Sequence, residues 1–271
     1  MTMKIFSGPD ILYRHNQSLA ERFPFNLRER VKRQIQSQEL GLGMVTRSVT
    51  VEDVSRLRRL EVEKWGKEGA SEYTLTRRIQ NTPGFCWATF DSRGEALASC
   101  FVMGTTKQKI LASKDWYETT DDGTASSHEA SSLHWFGISL SSKSEHALAD
   151  IAIYMALEVL RKGIRAVYLG SPMPGFARWK QANPMGTAMQ YVTSWNLTKG
   201  KRLHIDPLLR SYVKAGFEIV DVLPNYFPHA RSLNWGALIC IRNWLWFASG
   251  LFKLVSKSMF RRNVMPLMSC H

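Results

Sequence analysis

Cysteine is scarce in this 271-residue chain, and Cys86, Cys100, Cys240 and Cys270 stand far apart. No CxxC pair encodes a zinc site and no dense framework encodes disulfides, so a reducing compartment without a bound metal is expected. A secretory signal needs an unbroken apolar stretch near the start. Asp10, Arg14, His15 and Glu21 interrupt that region, which makes a cytoplasmic location the expectation. Internal repeats are absent, as are an RNP-like aromatic strand and a long Lys/Arg block, so nucleic acid is not an expected partner. A G-x-S-x-G elbow, which would mark a nucleophilic serine, is also missing.

What is present is a globular composition, 44% hydrophobic and 11% aromatic, on a chain with a formal charge of +13. The charge is unevenly spread. Basic residues number 7 against 4 acidic in residues 1–43, 23 against 19 in 44–221, and 6 against none in 222–271. A basic arm (1–43), a nearly balanced domain (44–242) and a basic tail (243–271) are the expected units. Their charge suits an anionic lipid, a phosphorylated cofactor or an acidic carrier protein.

The arm carries a polar helix over 27–40, ended by Gly41 and Gly43. Val45, Arg47 and Val49 alternate as a strand, and Thr50 opens a helix with Val54, Leu57 and Leu60 on one face. A short helix over 74–79 and a hairpin of 85–90 with 96–105 follow. The Ser/Thr/Asp/Gly-rich stretch 119–132 reads as a mobile loop. Next come a strand over 133–140, a helix over 151–162 stopped by Gly163, and a strand over 166–169 whose parallel pairing needs that crossover. Asp206-Pro207 starts a helix that runs to Lys214 and stops at Gly216, and strands over 217–223 and 233–241 close the unit.

Three pieces in this order resemble the GCN5-related N-acetyltransferase (GNAT) superfamily: the opening 45–65 with Ile79, Pro83 and Trp87; the unit from Ile138 to Leu169; and Tyr212-Val-Lys-Ala-Gly-Phe-Glu218, with Tyr four residues before Gly. The runs 169–176, 206–210, 223–227 and 232–236 are similar to acetyltransferase-like domains fused to carbon-nitrogen hydrolases, and more distantly to loading domains of some polyketide synthases. The resemblance implies a mixed α/β fold with a splayed central sheet flanked by helices. It also implies acyl transfer from a thioester, acetyl-CoA or a longer acyl-CoA, to a small-molecule or protein amine. An acyl carrier protein can stand in as donor, and a silent binding module of the same fold is the third reading.

On that resemblance Gly137, Ile138, Ser139 and Leu140 contact the pantetheine arm as an exposed strand edge. The phosphate cradle is the departure from the family pattern. Without gaps, Glu145 falls at the family's Arg position, and His146, Leu148 and Asp150 fall where glycines are expected. Ser141, Lys143 and Ser144, with Ser142 beside them and His146 following, are the groups from which a cradle can be rebuilt. Tyr212 is the candidate acid for the leaving thiolate, and His134 the candidate base, with Glu129 as alternative. Ser171, at the end of a parallel strand, and Asn225 with Tyr226 are candidate acceptor contacts. Cys86 and Cys100 read as buried apolar cysteines.

The uncharged tail run 243–252 has about half of the ~20 residues a bilayer span requires. Trp244, Phe247, Leu251 and Val255 share a helical stripe with Lys253 and Lys257 elsewhere, so the segment 243–262 either lies in a membrane interface or packs on the domain or a second copy.

Overall fold

The computed structural model describes residues 43–198 and 201–260. The expected helix over 27–40, nearly all of the arm, and Arg261, Arg262 and Cys270 lie outside the described residues. From Gly43 the chain forms β1 (Val45–Ser48), a single turn, and α1 (Val54–Trp65). Asp53 fixes this entry: its carboxylate takes both guanidinium nitrogens of Arg47 at 2.7 Å and the Thr50 amide at 3.0 Å. Then follow α2 (Glu72–Asn81), β2 (Cys86–Phe90), β3 (Ala96–Gly104), α3 (Lys107–Ala112), α4 (Trp116–Thr120) and β4 (His134–Ser142). The crossover α5 (Glu145–Arg161) leads to β5 (Ala166–Pro172). Two short helices, α6 (Phe176–Ala182) and α7 (Ala188–Val192), precede a hairpin of β6 (Trp195–Thr198) and β7 (Lys201–His204). Helix α8 (Pro207–Lys214), β8 (Glu218–Leu223) and β9 (Gly236–Arg242) complete the domain, and α9 (Ser249–Phe252) and α10 (Lys257–Met259) lie in the tail.

Seven strands form one sheet in the order β1-β2-β3-β4-β5-β9-β8. All neighbours are antiparallel except β4 and β5. On one face Phe101, Met103, Phe136, Tyr168 and Cys240 pack with Leu57, Leu60, Leu75 and Ile79 of α1 and α2. Residues of the opposite parity face the other way. Trp87, Cys100, Trp135 and Val167 meet Ala147 and Ile151 of α5, and Ala237 and Ile239 meet Leu209 of α8, Phe176 and Tyr191. Helix α5 therefore lies on this face mainly over β2 and β3, and α8 lies beside β5 and β7, so the two flank the β4–β5 junction.

Several expectations change. Helix α5 begins at Glu145, not 151, because Ser144 caps it, accepting from the Ala147 amide at 3.3 Å, and Ala147, Leu148 and Ala149 favour helix. The stretch 119–132 is not a loose loop. Asp121 holds Lys109 at 2.7 Å and the Ser127 amide at 2.8 Å, Gly123 O accepts from Arg78 at 2.7 Å, and His128 Nδ1 accepts from the Gly104 amide at 2.9 Å. Leu233 and Asn234 are turn residues with positive φ, so the last strand starts at Gly236. The tail stripe divides: Leu245, Phe252, Val255 and Phe260 pack on Ile153, Leu157 and Leu160 of α5, which takes Val255 away from the exposed Trp244, Phe247 and Leu251.

Candidate functional site

Strands β4 and β5 pair only from His134↔Ala166 to Gly137↔Leu169. Beyond that pair β4 continues with β3 to Ser142, while β5 continues with β9 to Pro172. An extra residue, Ile138, sits in β4 between the partners of Phe101 and Val102, and such a bulge bends its strand. The sheet thus opens into a notch just after Gly137. A Cβ at Gly137 would lie 2.1 Å from Leu169 Cδ2, so a residue without a side chain is needed where the strands part. Gly137, Ile138, Ser139 and Leu140 all lie at this opening, with the Ile138 carbonyl accepting from Trp116 Nε1 at 2.9 Å.

Tyr212 stands on α8 with its hydroxyl near Cys100, the β3 partner of Leu140 in the splayed half of β4. Its ring packs edge-on against Phe217 with centroids 5.4 Å apart, and it lies between the elements beside Leu169, Ile205 and Ile219. Burial pushes the phenol up to about 12, and the nearby Cys100 on β3 adds in the same direction. At neutral pH the hydroxyl therefore keeps its proton.

The cradle residues divide. Ser141 is buried and committed, accepting from Trp65 Nε1 at 2.7 Å and donating to Glu61 Oε1 at 2.6 Å, so it does not serve a phosphate. Ser142 donates to the Ser144 carbonyl at 2.7 Å. The Ser144 hydroxyl caps α5 as an acceptor and keeps its own proton to donate. Lys143 is exposed, 3.9 Å from Glu63, and His146 is exposed on the first turn of α5. Asp150 faces away from the notch. Its buried carboxylate accepts from Thr46 Oγ1 and, at 2.8 Å, from Lys257 Nζ of the tail, so it does not add to the repulsion of a phosphate. Glu145 remains exposed in the first turn.

His134 and Glu129 are not at the notch. His134 pairs at the closed end of β4, three residues before Gly137 or about 10 Å of strand. Burial, then Arg165 and Lys107, lower its pKa, so it is neutral at pH 7 and sits beside the Tyr168 ring. Glu129 is exposed near that same end, its amide donating to Gly104 O at 2.9 Å. Ser171 is 1% exposed, with its hydroxyl donating to the Pro172 carbonyl at 2.9 Å, on the half of β5 that pairs with β9. Asn225 is an exposed turn residue with φ of 51° beside a shallow depression lined by Lys114, Asp115, Leu223 and Pro224. Tyr226 lies flat under β5 and β9, where Cβ atoms at Gly170 and Gly236 would collide with its ring. Its buried hydroxyl has no hydrogen-bond partner among the described residues, and burial holds its pKa far above the usual value.

Two buried ionisable residues escaped the sequence reading. Arg78 is 1% exposed, donating to the Gly123 carbonyl and, at 3.1 Å, to Ser139 Oγ, with its guanidinium 5.0 Å from the Phe101 ring centre. Burial lowers its pKa. Glu61 is 2% exposed and reaches Ser141. Both stand on the apolar faces of their helices, Glu61 four residues after Leu57 and Arg78 three after Leu75. A charge at a core-facing helical position was the available signal.

This splayed mixed sheet, with α5 and α8 flanking a parallel junction, has counterparts among solved structures. The GphF GNAT-like decarboxylase in complex with isobutyryl-CoA is 20% identical, with a TM-score of 0.60 over 73% of this chain and 98% of its own. The fold is GNAT-like. The loading GNATL domain of CurA from Lyngbya majuscula gives 0.61 at 19% identity, covering 73% of this chain and 97% of that one. A malonyl-CoA decarboxylase from Agrobacterium vitis gives 0.53 at 13% identity, covering 77% of this chain and 62% of its own. No family model matches the sequence. A Bacillus subtilis protein described as a probable hydrolase, YhcX, is 23% identical over 204 residues, 72% of this chain, and the chain spans 38% of that relative's length. At these identities the likeness carries the GNAT-like architecture. The narrower resemblance to domains fused to carbon-nitrogen hydrolases stays with the sequence runs that suggested it.

Proposed function

We propose that the chain transfers an acyl group from a thioester, seated in the β4–β5 notch, to an amine. The observation that carries this reading is the buried, protonated phenol of Tyr212 near Cys100, which pairs with Leu140 in the half of β4 that has left β5. The open edge of β4 offers backbone groups to the amides of a pantetheine arm. Ser139 Oγ accepts from Arg78, which leaves the serine proton to donate to the carbonyl oxygen as it gains charge. In this reading the amine nitrogen attacks the carbonyl, a C–N bond forms and the C–S bond breaks. The amine gives up its proton to Glu61 through Ser141, and Tyr212 supplies one to the departing sulfur. Glu61 replaces His134 and Glu129 as base because it alone of the three adjoins the splayed half of β4.

The donor can be acetyl-CoA, a longer acyl-CoA or an acyl carrier protein. The last is favoured by one feature: only Lys143 and Ser144 separate β4 from α5, and the Ser144 and Ala147 amides at that helix start are taken by the Ser142 and Ser144 hydroxyls. A carrier arm presents one phosphate where CoA presents several. The likeness to a decarboxylase in complex with isobutyryl-CoA and to a loading GNATL domain supports a thioester in either form. Calorimetry of the full chain with acetyl-CoA, isobutyryl-CoA and an acyl carrier protein tests the donor, and heat from none of them removes the reading. Tyr212→Phe is expected to lower kcat by about 10²-fold with thioester affinity retained. Undiminished turnover would exclude Tyr212 as the acid.

A further inference from the structure

The tail has two apolar faces and the domain uses only one. Leu245, Phe252, Val255 and Phe260 turn inward onto α5. Trp244, Phe247, Leu251 and Leu254 turn outward at 59, 69, 77 and 93% exposure, with Trp246 at 39% beside them. Phe247, Leu251 and Leu254 recur at helical spacing, so they project together. Such a cluster of large side chains on one short segment is more than the scattered exposed apolar residues of an ordinary surface.

The segment is held firmly enough to present this face. Lys257 Nζ meets buried Asp150 at 2.8 Å, Arg161 donates to the Val255 carbonyl at 2.5 Å, and the Arg165 guanidinium lies 4.2 Å from the Trp246 ring centre. Charge identifies what covers it. Residues 222–271 carry no Asp or Glu, while exposed Lys253 lies within the outward run and exposed Arg165 stacks on Trp246. Two copies of one cationic face repel, and the chain as a whole is at +13. A bilayer with anionic headgroups matches both features, apolar side chains entering the acyl boundary and Lys or Arg meeting phosphate, with Trp244 and Trp246 at the level such rings prefer.

We propose that the outward face of the tail, Trp244, Phe247, Leu251 and Leu254 with Lys253 at its edge, seats the protein on an anionic membrane surface without crossing it. No helix among the described residues is long and apolar enough to span a bilayer. The test is co-sedimentation of the full chain with phosphatidylcholine vesicles containing about one third phosphatidylglycerol. Binding is expected, weaker on pure phosphatidylcholine and weaker as salt rises. The triple variant Phe247→Ser, Leu251→Ser, Leu254→Ser should bind at least about tenfold less, since each side chain loses most of its insertion free energy. Its circular dichroism and melting curve should match the parent, because these side chains support nothing in the fold. Equal binding by the triple variant, or no binding by the parent, overturns the proposal. So does a concentration-dependent dimer in light scattering that the triple variant abolishes, which would make the face a self-association surface.

Discussion

A single missing side chain sets where the notch begins. At Gly137 any Cβ would press on Leu169, and Leu169 is itself wedged between the groups packed under α5 and α8. Gly137→Ala is therefore expected to cost about 1–3 kcal/mol in a denaturant melt and to weaken thioester binding, because the relief lies in moving Leu169 into the opening. A variant that melts and binds as the parent would show that the strands part for another reason. Histidines add a second residue-scale effect. Burial comes first among the causes that lower the pKa of His128, His134 and His229, so the folded state prefers each ring neutral. Stability from this source is complete above the ordinary histidine value of 6.5 and falls as pH drops through the lower folded values. Asp53 and Asp121, held below the usual carboxylate range despite burial by Arg47 and by Lys109, add a further loss at more acid pH. A melting temperature level from neutrality to about pH 8, where Lys257 starts to lose its proton in the fold, and declining from about pH 6.5 downward is the expected profile, and a rise on acidification would contradict it.

Among the elements, α5 joins the notch to the tail. Its first turn borders the opening, and its flank carries both Asp150 and the apolar row that receives the tail. Lys257→Met should cost about 3 kcal/mol, since it leaves the buried Asp150 carboxylate without its cation. Adding Asp150→Asn should recover much of that loss, and a chemical denaturation series on the two variants measures both. The sequence revealed α5 and its strands because period-3.6 and period-2 patterns, Gly163 and the Asp206-Pro207 cap act locally. It did not reveal where α5 begins. The serine cap at Ser144 competes there with a family-derived expectation of a loop, and the cap wins because it satisfies an amide at once. The short helices α3, α4, α6 and α7 were missed since each is held by tertiary contacts, such as Trp116 to Ile138 O, more than by its own pattern. Tyr212 stands out in the sequence by its spacing to Gly216, and its role is the proposal made above. Arg78 and Glu61 bond distant strand residues, Ser139 and Ser141, and that pairing exists only once the sheet has formed.

At the scale of the molecule, the charge of +13 separates into parts with different partners. Within the domain several basic groups are paired at home, Arg47 with Asp53, Lys109 with Asp121 and Arg161 with Glu158, and the tail's Lys257 meets Asp150. Lys253 is left exposed on the tail. The tail runs beside α5 in the reverse direction, with Trp246 and Ser249 near Gly163 at its end and Lys257 at Asp150 nearer its start. A helix of 17 residues measures about 25 Å. The outward aromatic cluster and the notch are thus the two ends of one rod, and α5 acts as a ruler. With the tail on a bilayer and a thioester in the notch, as proposed, Trp246 stands about one helix length from that thioester, a spacing that suits an acceptor whose reactive amine is carried on a stem of comparable reach.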